Sequence, residues 1–349
     1  MFEELEALGW SPSREQEFAP HAALGRAPAR VAAQHRGAYV VHAARGEQPA
    51  EVAGRLRHEA GPAGLPAVGD WVALRDESQT APIEAVLERR TAFSRKAAGE
   101  ETVEQVVAAN VDVVLLVSAF GGDLNVRRIE RYLAAAWESG ATPAIVLNKS
   151  DLAGDPAEIA EVEAVALGVP VHVVSAVDGT GVAELAAYAE GGRTIALLGS
   201  SGVGKSSLVN LLLGEERQQV AGLRGDGKGR HTTTYRELLL LPGGGLVLDT
   251  PGMRELALWD AGAGMEETFA DVTELASACR FRDCAHEEEP GCAVAAALAD
   301  GRLDPARLES YRKLQRELRH LETKADPRAL AEARKRRRRF ARSMRKGSW

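Results

Sequence analysis

Several things are scarce in this chain of 349 residues, and each scarcity removes a class of function. No apolar run approaches the ~20 residues that a membrane span needs. The most apolar windows, Val111–Phe120 and Thr194–Gly199, are far shorter. The first ten residues (MFEELEALGW) are acidic, where a secretory signal would be basic and then apolar. A cytoplasmic protein without membrane attachment is expected. Aromatic residues make up only 5% of the chain, which argues against a binding surface built mainly on base stacking, and Trp71 in GDWVAL reads as core. No sustained heptad run calls for a coiled coil, which favours a monomer, and no internal repeat of fixed period occurs. There are three cysteines, an odd number, and all fall within fourteen residues. That clustering argues against a disulfide framework and for a metal.

What remains is ordinary globular material, 45% hydrophobic and 27% charged, enough for two or three domains at roughly 100–200 residues each. The charge is uneven. Residues 334–346 (RKRRRRFARSMRK) carry nine basic and no acidic side chains, leaving 34 basic against 50 acidic residues elsewhere. A cationic tail on an acidic body suits a polyanion such as RNA through counterion release, the alternative being a solubilising tail.

Residues 1–28 show no sustained periodicity and are expected to form a mobile or loosely packed extension. Over 29–92, short β-type runs (RVAAQ, GAYVVHA, AEVAGRL, GDWVALR, PIEAVLE) are separated by Gly, Pro and Asp. They suggest a small barrel such as an OB-fold, or another small β-domain. A polar connector over 93–105 leads into 106–259, where strand and helix patterns alternate as in an α/β domain with a parallel sheet. Residues 260–325 are helical and hold the cysteines; 326–349 form the basic tail.

The α/β segment carries the chemistry. Gly199-Ser200-Ser201-Gly202-Val203-Gly204-Lys205-Ser206-Ser207 fits G-x-x-x-x-G-K-[ST] between a strand and a helix. Glycines let backbone N–H groups wrap a phosphate, Lys205 reaches the β- and γ-phosphates, and Ser206 ligates Mg²⁺. Asn148-Lys149-Ser150-Asp151 fits N-K-x-D at another strand end. A carboxylate at Asp151 accepts from guanine N1–H and the 2-amino group, which adenine lacks, so the base is expected to be guanine. Ser175-Ala176 fits the loop whose N–H meets guanine O6. Asp249 in LVLDTPG is placed to hold Mg²⁺ through water and Gly252 to bond the γ-phosphate. In GRHTTT one of Thr232, Thr233 and Thr234 should close on Mg²⁺, with Thr233 favoured.

Asn148 precedes Gly199 here, the reverse of the usual GTPase order, so the domain reads as circularly permuted. That order, GRHTTT and CRFRDCAHEEEPGC together resemble the ribosome small subunit-dependent GTPase A family, the RsgA or YjeQ group. The resemblance spans most of the chain, from near residue 30 to near 325. It implies an N-terminal OB-fold, a permuted GTPase domain and a C-terminal zinc domain. It also implies late assembly of the small ribosomal subunit, whose 16S rRNA stimulates conversion of GTP to GDP.

After Gly252, where many GTPases carry a water-orienting Gln, stands Met253, so slow unassisted hydrolysis is expected. His231 is the candidate to position water, alongside Lys205 and Thr233 in the catalytic set. Cys279, Cys284, His286 and Cys292, spaced C-x₄-C-x-H-x₅-C, make a closed donor set for one structural Zn²⁺. Because the switch segment after Asp249 runs straight into this metal domain, nucleotide state is expected to set affinity for the ribosomal partner. Two other functions compete: a GTP-binding scaffold with incidental hydrolysis, and a nucleotide-dependent metabolic enzyme, for which no acceptor base is visible.

Overall fold

A computed structural model describes residues 3–35, 37–75, 80–96, 104–152, 154–215, 237–249, 262–287 and 289–325. The expectations for His231, Thr232–Thr234, Gly252, Met253, the Asp249 side chain and the basic tail lie outside the described residues and atoms.

The expected loose N-terminal extension is instead a packed one. Helices α1 (Glu3–Glu6) and α2 (Pro12–Ala22) bury Leu5 and Phe18, the turn between them buries Leu8 and Trp10, and Trp10 meets Trp71 edge-on at 4.8 Å. Both helices are too short for a 3.6-residue period to stand out in the sequence. Ser11 caps α2 by accepting from the Arg14 N–H, and Pro12 occupies its first turn.

The barrel follows. It comprises β1 (Ala27–Gln34), β2 (Tyr39–Ala43), β3 (Gly46–Val52), helix α3 (Gly54–Glu59), β4 (Trp71–Leu74) and β5 (Ala81–Val86). The pairing order β1-β2-β3-β5-β4 closes through β1–β4, with β3 and β5 parallel, which is the closed five-stranded arrangement of an OB-fold. Ala29, Val31, Val41, Ala50, Val72, Leu74 and Ile83 fill its interior. Buried Arg30 holds the barrel to its neighbours. It donates to the carbonyls of Leu8, Gly69 (3.2 Å) and Asn110 (2.9 Å) and to Thr194 Oγ1 (2.8 Å). Burial pushes its pKa down to about 10, so the guanidinium stays charged at neutral pH.

An antiparallel pair, β6 (Ala92–Lys96) and β7 (Glu104–Ala109), spans the polar connector and runs past both its ends, with Phe93, Val107 and Ala108 buried. Next come β8 (Val113–Ala119), α4 (Val126–Glu138), β9 (Thr142–Asn148), α5 (Pro156–Ala166), β10 (Val171–Val173) and α6 (Val182–Ala186). The domain continues with β11 (Thr194–Gly199), α7 (Lys205–Leu213), β12 (Glu237–Leu240) and β13 (Leu246–Asp249). The order is β10-β9-β8-β11-β13-β12, parallel except for β12. Alternate residues of β8 serve two cores, as its period of two requires. Val114 and Leu116 pack with Ile129 and Leu133 of α4, while Val113, Leu115 and Val117 pack with Leu208 and Val209 of α7. Burying each such side chain contributes about 1.5–3 kcal/mol. Strand β12 also pairs with β1 through Ala33 and Glu237, so barrel and nucleotide domain share one eleven-stranded sheet.

Helices α8 (Gly262–Thr268), α9 (Ala270–Ser277), α10 (Ala293–Ala299) and α11 (Pro305–Ala325) form the last unit, around Phe269, Val272, Val294, Leu303, Leu308 and Leu314. It docks on α4, where a Cβ on Gly264 would stand 2.1 Å from the Ala134 carbonyl. Beside that contact, Glu130 of α4 is fully buried. It accepts from Arg307 (2.8 Å), Arg127 (2.6 Å) and the Ser310 hydroxyl, and Arg307 also grips Asp271 through two hydrogen bonds. Among the described residues no helix is long and apolar enough to cross a membrane.

Candidate nucleotide and metal sites

The strand tips bring three loops together. At the end of β11 the chain turns so close to β8 that a Cβ on Gly199 would sit 2.2 Å from the Val117 carbonyl. Ser200, Ser201, Gly202 and Val203 then form the loop, and Gly204, with φ +95°, delivers Lys205 as the first residue of α7. Ser206 and Ser207 follow in its first turn. The Lys205 ammonium folds back over the loop and donates to the carbonyls of Gly199 (2.8 Å) and Ser200 (2.6 Å). A glycine-lined loop ending at a helix N-terminus, with a lysine across it, is built to hold phosphate oxygens.

Asn148, buried at the end of β9, connects this loop to the other two. Its Nδ2 donates to the Val203 carbonyl at 2.7 Å, and its Oδ1 accepts from the Ala176 N–H at 3.0 Å. Any Cβ on Gly204 would fall 2.2 Å from the same Nδ2, which explains the glycine there. Lys149 turns the chain with φ +64°, and Asp151 follows, exposed, in a short 3₁₀ turn. Ser175, fully buried, donates its hydroxyl to Asp151 Oδ1 at 2.9 Å and accepts from the Val177 N–H. One carboxylate oxygen is thus oriented by Ser175 while Asp151 faces solvent. Asn148 thus touches the Gly199–Ser206 loop directly, Ala176 is hydrogen-bonded to Asn148, and Asp151 is hydrogen-bonded to Ser175. Asp249 ends β13, two strands from β8 and next to β11.

Sequence reasoning missed Asp123. It follows the Gly121-Gly122 turn beyond β8, and both its oxygens lie within hydrogen-bond reach of Ser200 Oγ, at 2.8 and 2.9 Å. An acid just past the tip of the strand beside β11 was the only available signal.

The second site lies between α9 and α10. Ligand atoms of Cys279, Cys284, His286 and Cys292 all fall within 4.8 Å of one another. Cys279 Sγ stands 3.9 Å from Cys292 Sγ and 3.5 Å from His286 Nδ1, and Cys292 Sγ is 3.6 Å from that nitrogen. Partial burial, helped by Arg312, lowers the His286 pKa and so favours the neutral ring, the form that ligates metal. Cys292 also caps α10, its sulfur accepting from the Ala295 N–H. The donor set can hold a metal ion.

Comparison with known proteins agrees with this geometry. Residues 86–259 match the family model for the RsgA GTPase. The chain is 52% identical over 338 residues to the small ribosomal subunit biogenesis GTPase RsgA of Opitutus terrae, covering 93% of this chain and 92% of that one. It is 48% identical over 336 residues to the protein of the same name from Streptomyces coelicolor, covering 95% and 91%. Among solved structures, YjeQ from Thermotoga maritima superposes with a TM-score of 0.62 at 29% identity, over 84% of this chain and 98% of that one. YloQ, described as a circularly permuted GTPase, gives 0.60 at 25% identity, over 84% and 96%.

Proposed function

This chain belongs to the RsgA family of GTPases, and from that premise we infer that it converts GTP to GDP and phosphate as an assembly factor of the small ribosomal subunit. The observation that carries the nucleotide reading is the pair of hydrogen bonds from Asn148 to Val203 and Ala176. They make base loop and phosphate loop one receptor.

In this reading the N–H groups of Ser201–Ser206 and the Lys205 ammonium hold the β- and γ-phosphates. The Ala176 N–H, which here donates to Asn148 Oδ1, shares its hydrogen with guanine O6 when the base is bound. Asp151, oriented by Ser175, accepts from the guanine edge, and a carboxylate covered by the bound base but left unpaired by adenine would discriminate by a factor on the order of 10⁴. Ser206, Thr233 and Asp249 hold magnesium, which neutralises charge on the phosphate oxygens. His231 positions the attacking water. Met253 cannot, so turnover by the isolated chain is slow and rises on the ribosomal subunit, whose 16S rRNA the arginines, lysines and basic tail hold through phosphates.

The metal is zinc, held as a structural ion. Three thiolates and one imidazole close a tetrahedron. Zn–S bonds near 2.3 Å would put sulfurs about 3.8 Å apart, close to the Cys279–Cys292 separation of 3.9 Å. We assign the barrel to 29–92, the GTPase domain to 106–259 and the zinc domain to 260–325, in a cytoplasmic monomer.

Phosphate release from GTP and from ATP, with and without purified small ribosomal subunits, tests the reading. GTP-selective release that rises with subunits supports it. Binding of GTP with no stimulated release would favour a scaffold, and equal use of ATP would overturn the guanine assignment.

A further inference from the structure

A carboxylate beside a triphosphate site is electrostatically unfavourable, so its presence there calls for a compensating role. Asp123 is such a group. It sits on the turn between β8 and α4, half-buried, with both oxygens on the hydroxyl of Ser200. Arg128, in the first turn of α4, pairs with Asp123 Oδ1 at 3.1 Å and donates to the Asp123 carbonyl, so the acid is fixed at backbone and side chain alike. Ser200 is the residue at which the chain leaves β11, and its carbonyl accepts from Lys205. The contacts therefore run Asp123 to Ser200 side chain, then Ser200 main chain to the Lys205 ammonium.

The loop they control contains Gly202 and Gly204, both with positive φ, and a chain with that freedom loses much entropy when it is ordered. A charge-assisted hydrogen bond is roughly twice as strong as a neutral one and fixes the Ser200 rotamer. The peptide between Ser200 and Ser201 is then held with its carbonyl toward Lys205. Ordering the loop in advance removes part of the cost of binding.

We infer that Asp123 is a positioning residue: acting through Ser200, it sets the phosphate loop in its binding form and strengthens GDP and GTP binding alike, without touching either nucleotide. The inference rests on the GTPase reading above.

The test uses the full chain and titrations with fluorescent GDP and GTP. Asp123→Ala should weaken both by about tenfold, Ser200→Ala by a similar factor, and the double variant by no more than either alone. Asp123→Asn keeps an acceptor for the Ser200 hydroxyl but not its charge, and should recover about half of the loss in free energy. In stimulated turnover the defect should fall on KM rather than kcat. Nucleotide affinity within twofold of wild type in Asp123→Ala or in Ser200→Ala overturns the inference. So do losses that multiply in the double variant, or a lowered melting temperature with intact affinity. A wild-type chain that binds neither nucleotide would overturn the GTPase reading as well, whereas neutral variants of a binding-competent chain remove this inference alone.

Discussion

The side-chain amide of Asn148 donates to the Val203 carbonyl at 2.7 Å, so a residue of the N-K-x-D motif holds the backbone of the glycine-rich loop before α7. Replacing it with alanine would leave that carbonyl and the Ala176 N–H without their buried partner. At about 1–3 kcal/mol for each of the two unsatisfied groups, Asn148→Ala should weaken GDP and GTP together by at least about 30-fold. Calorimetric titration of both nucleotides checks this. A loss confined to one of them would contradict the joint role.

Asp151→Asn exchanges an acceptor pair for one acceptor and one donor. Guanine offers two donors on that edge, and xanthine offers N1–H with a carbonyl at C2. The variant should lose GTP affinity by about a hundredfold or more and gain xanthosine triphosphate as ligand. Ser175 can still donate to the remaining oxygen, so the loop should keep its shape. Competition of the two triphosphates against a fluorescent nucleotide gives the answer.

Cys292→Ser separates the metal from the helix cap. Serine caps a helix at least as well as the cysteine sulfur that now accepts from Ala295, so α10 should retain its start. Any fall in melting temperature then reports the lost ligand. Elemental analysis should find one zinc per wild-type chain and close to none in the variant, and a strong chelator should lower the wild-type midpoint in the same direction.

Arg307→Ala strands a buried acid. Glu130 would keep Arg127 and Ser310 but lose its buried guanidinium, and breaking such a pair from one side costs about 3–5 kcal/mol. The urea midpoint should drop accordingly. Glu130→Leu combined with Arg307→Met should lose less than the two single changes summed, because two apolar side chains carry no desolvation penalty.

The motifs were readable because phosphate and base recognition demand fixed residue types at fixed spacing. Gly204 and Asn148 illustrate this, since any side chain at 204 would collide with the Asn148 amide. The barrel and the α/β alternation were readable from periods of two and 3.6. Arg30, Glu130 and Arg307 were not, because a buried ionic side chain has the same letter as a solvated one, and only its partners, remote in sequence, distinguish them. The packed N-terminal helices escaped for a related reason. Leu5, Leu8, Trp10 and Phe18 are buried by the barrel and its junction, not by one another alone. Asp123 needed the adjacency of β8 and β11, which is a property of the sheet.

That adjacency has a mechanical side. The peptide enters the GTPase sheet on β8 and departs on β13, and these are the two neighbours of β11. In this permuted order the modules fore and aft are both hung from strands flanking the phosphate-bearing one. A displacement at its tip has one inter-strand gap, about 4.8 Å, to cross on either side before it pulls on an attachment.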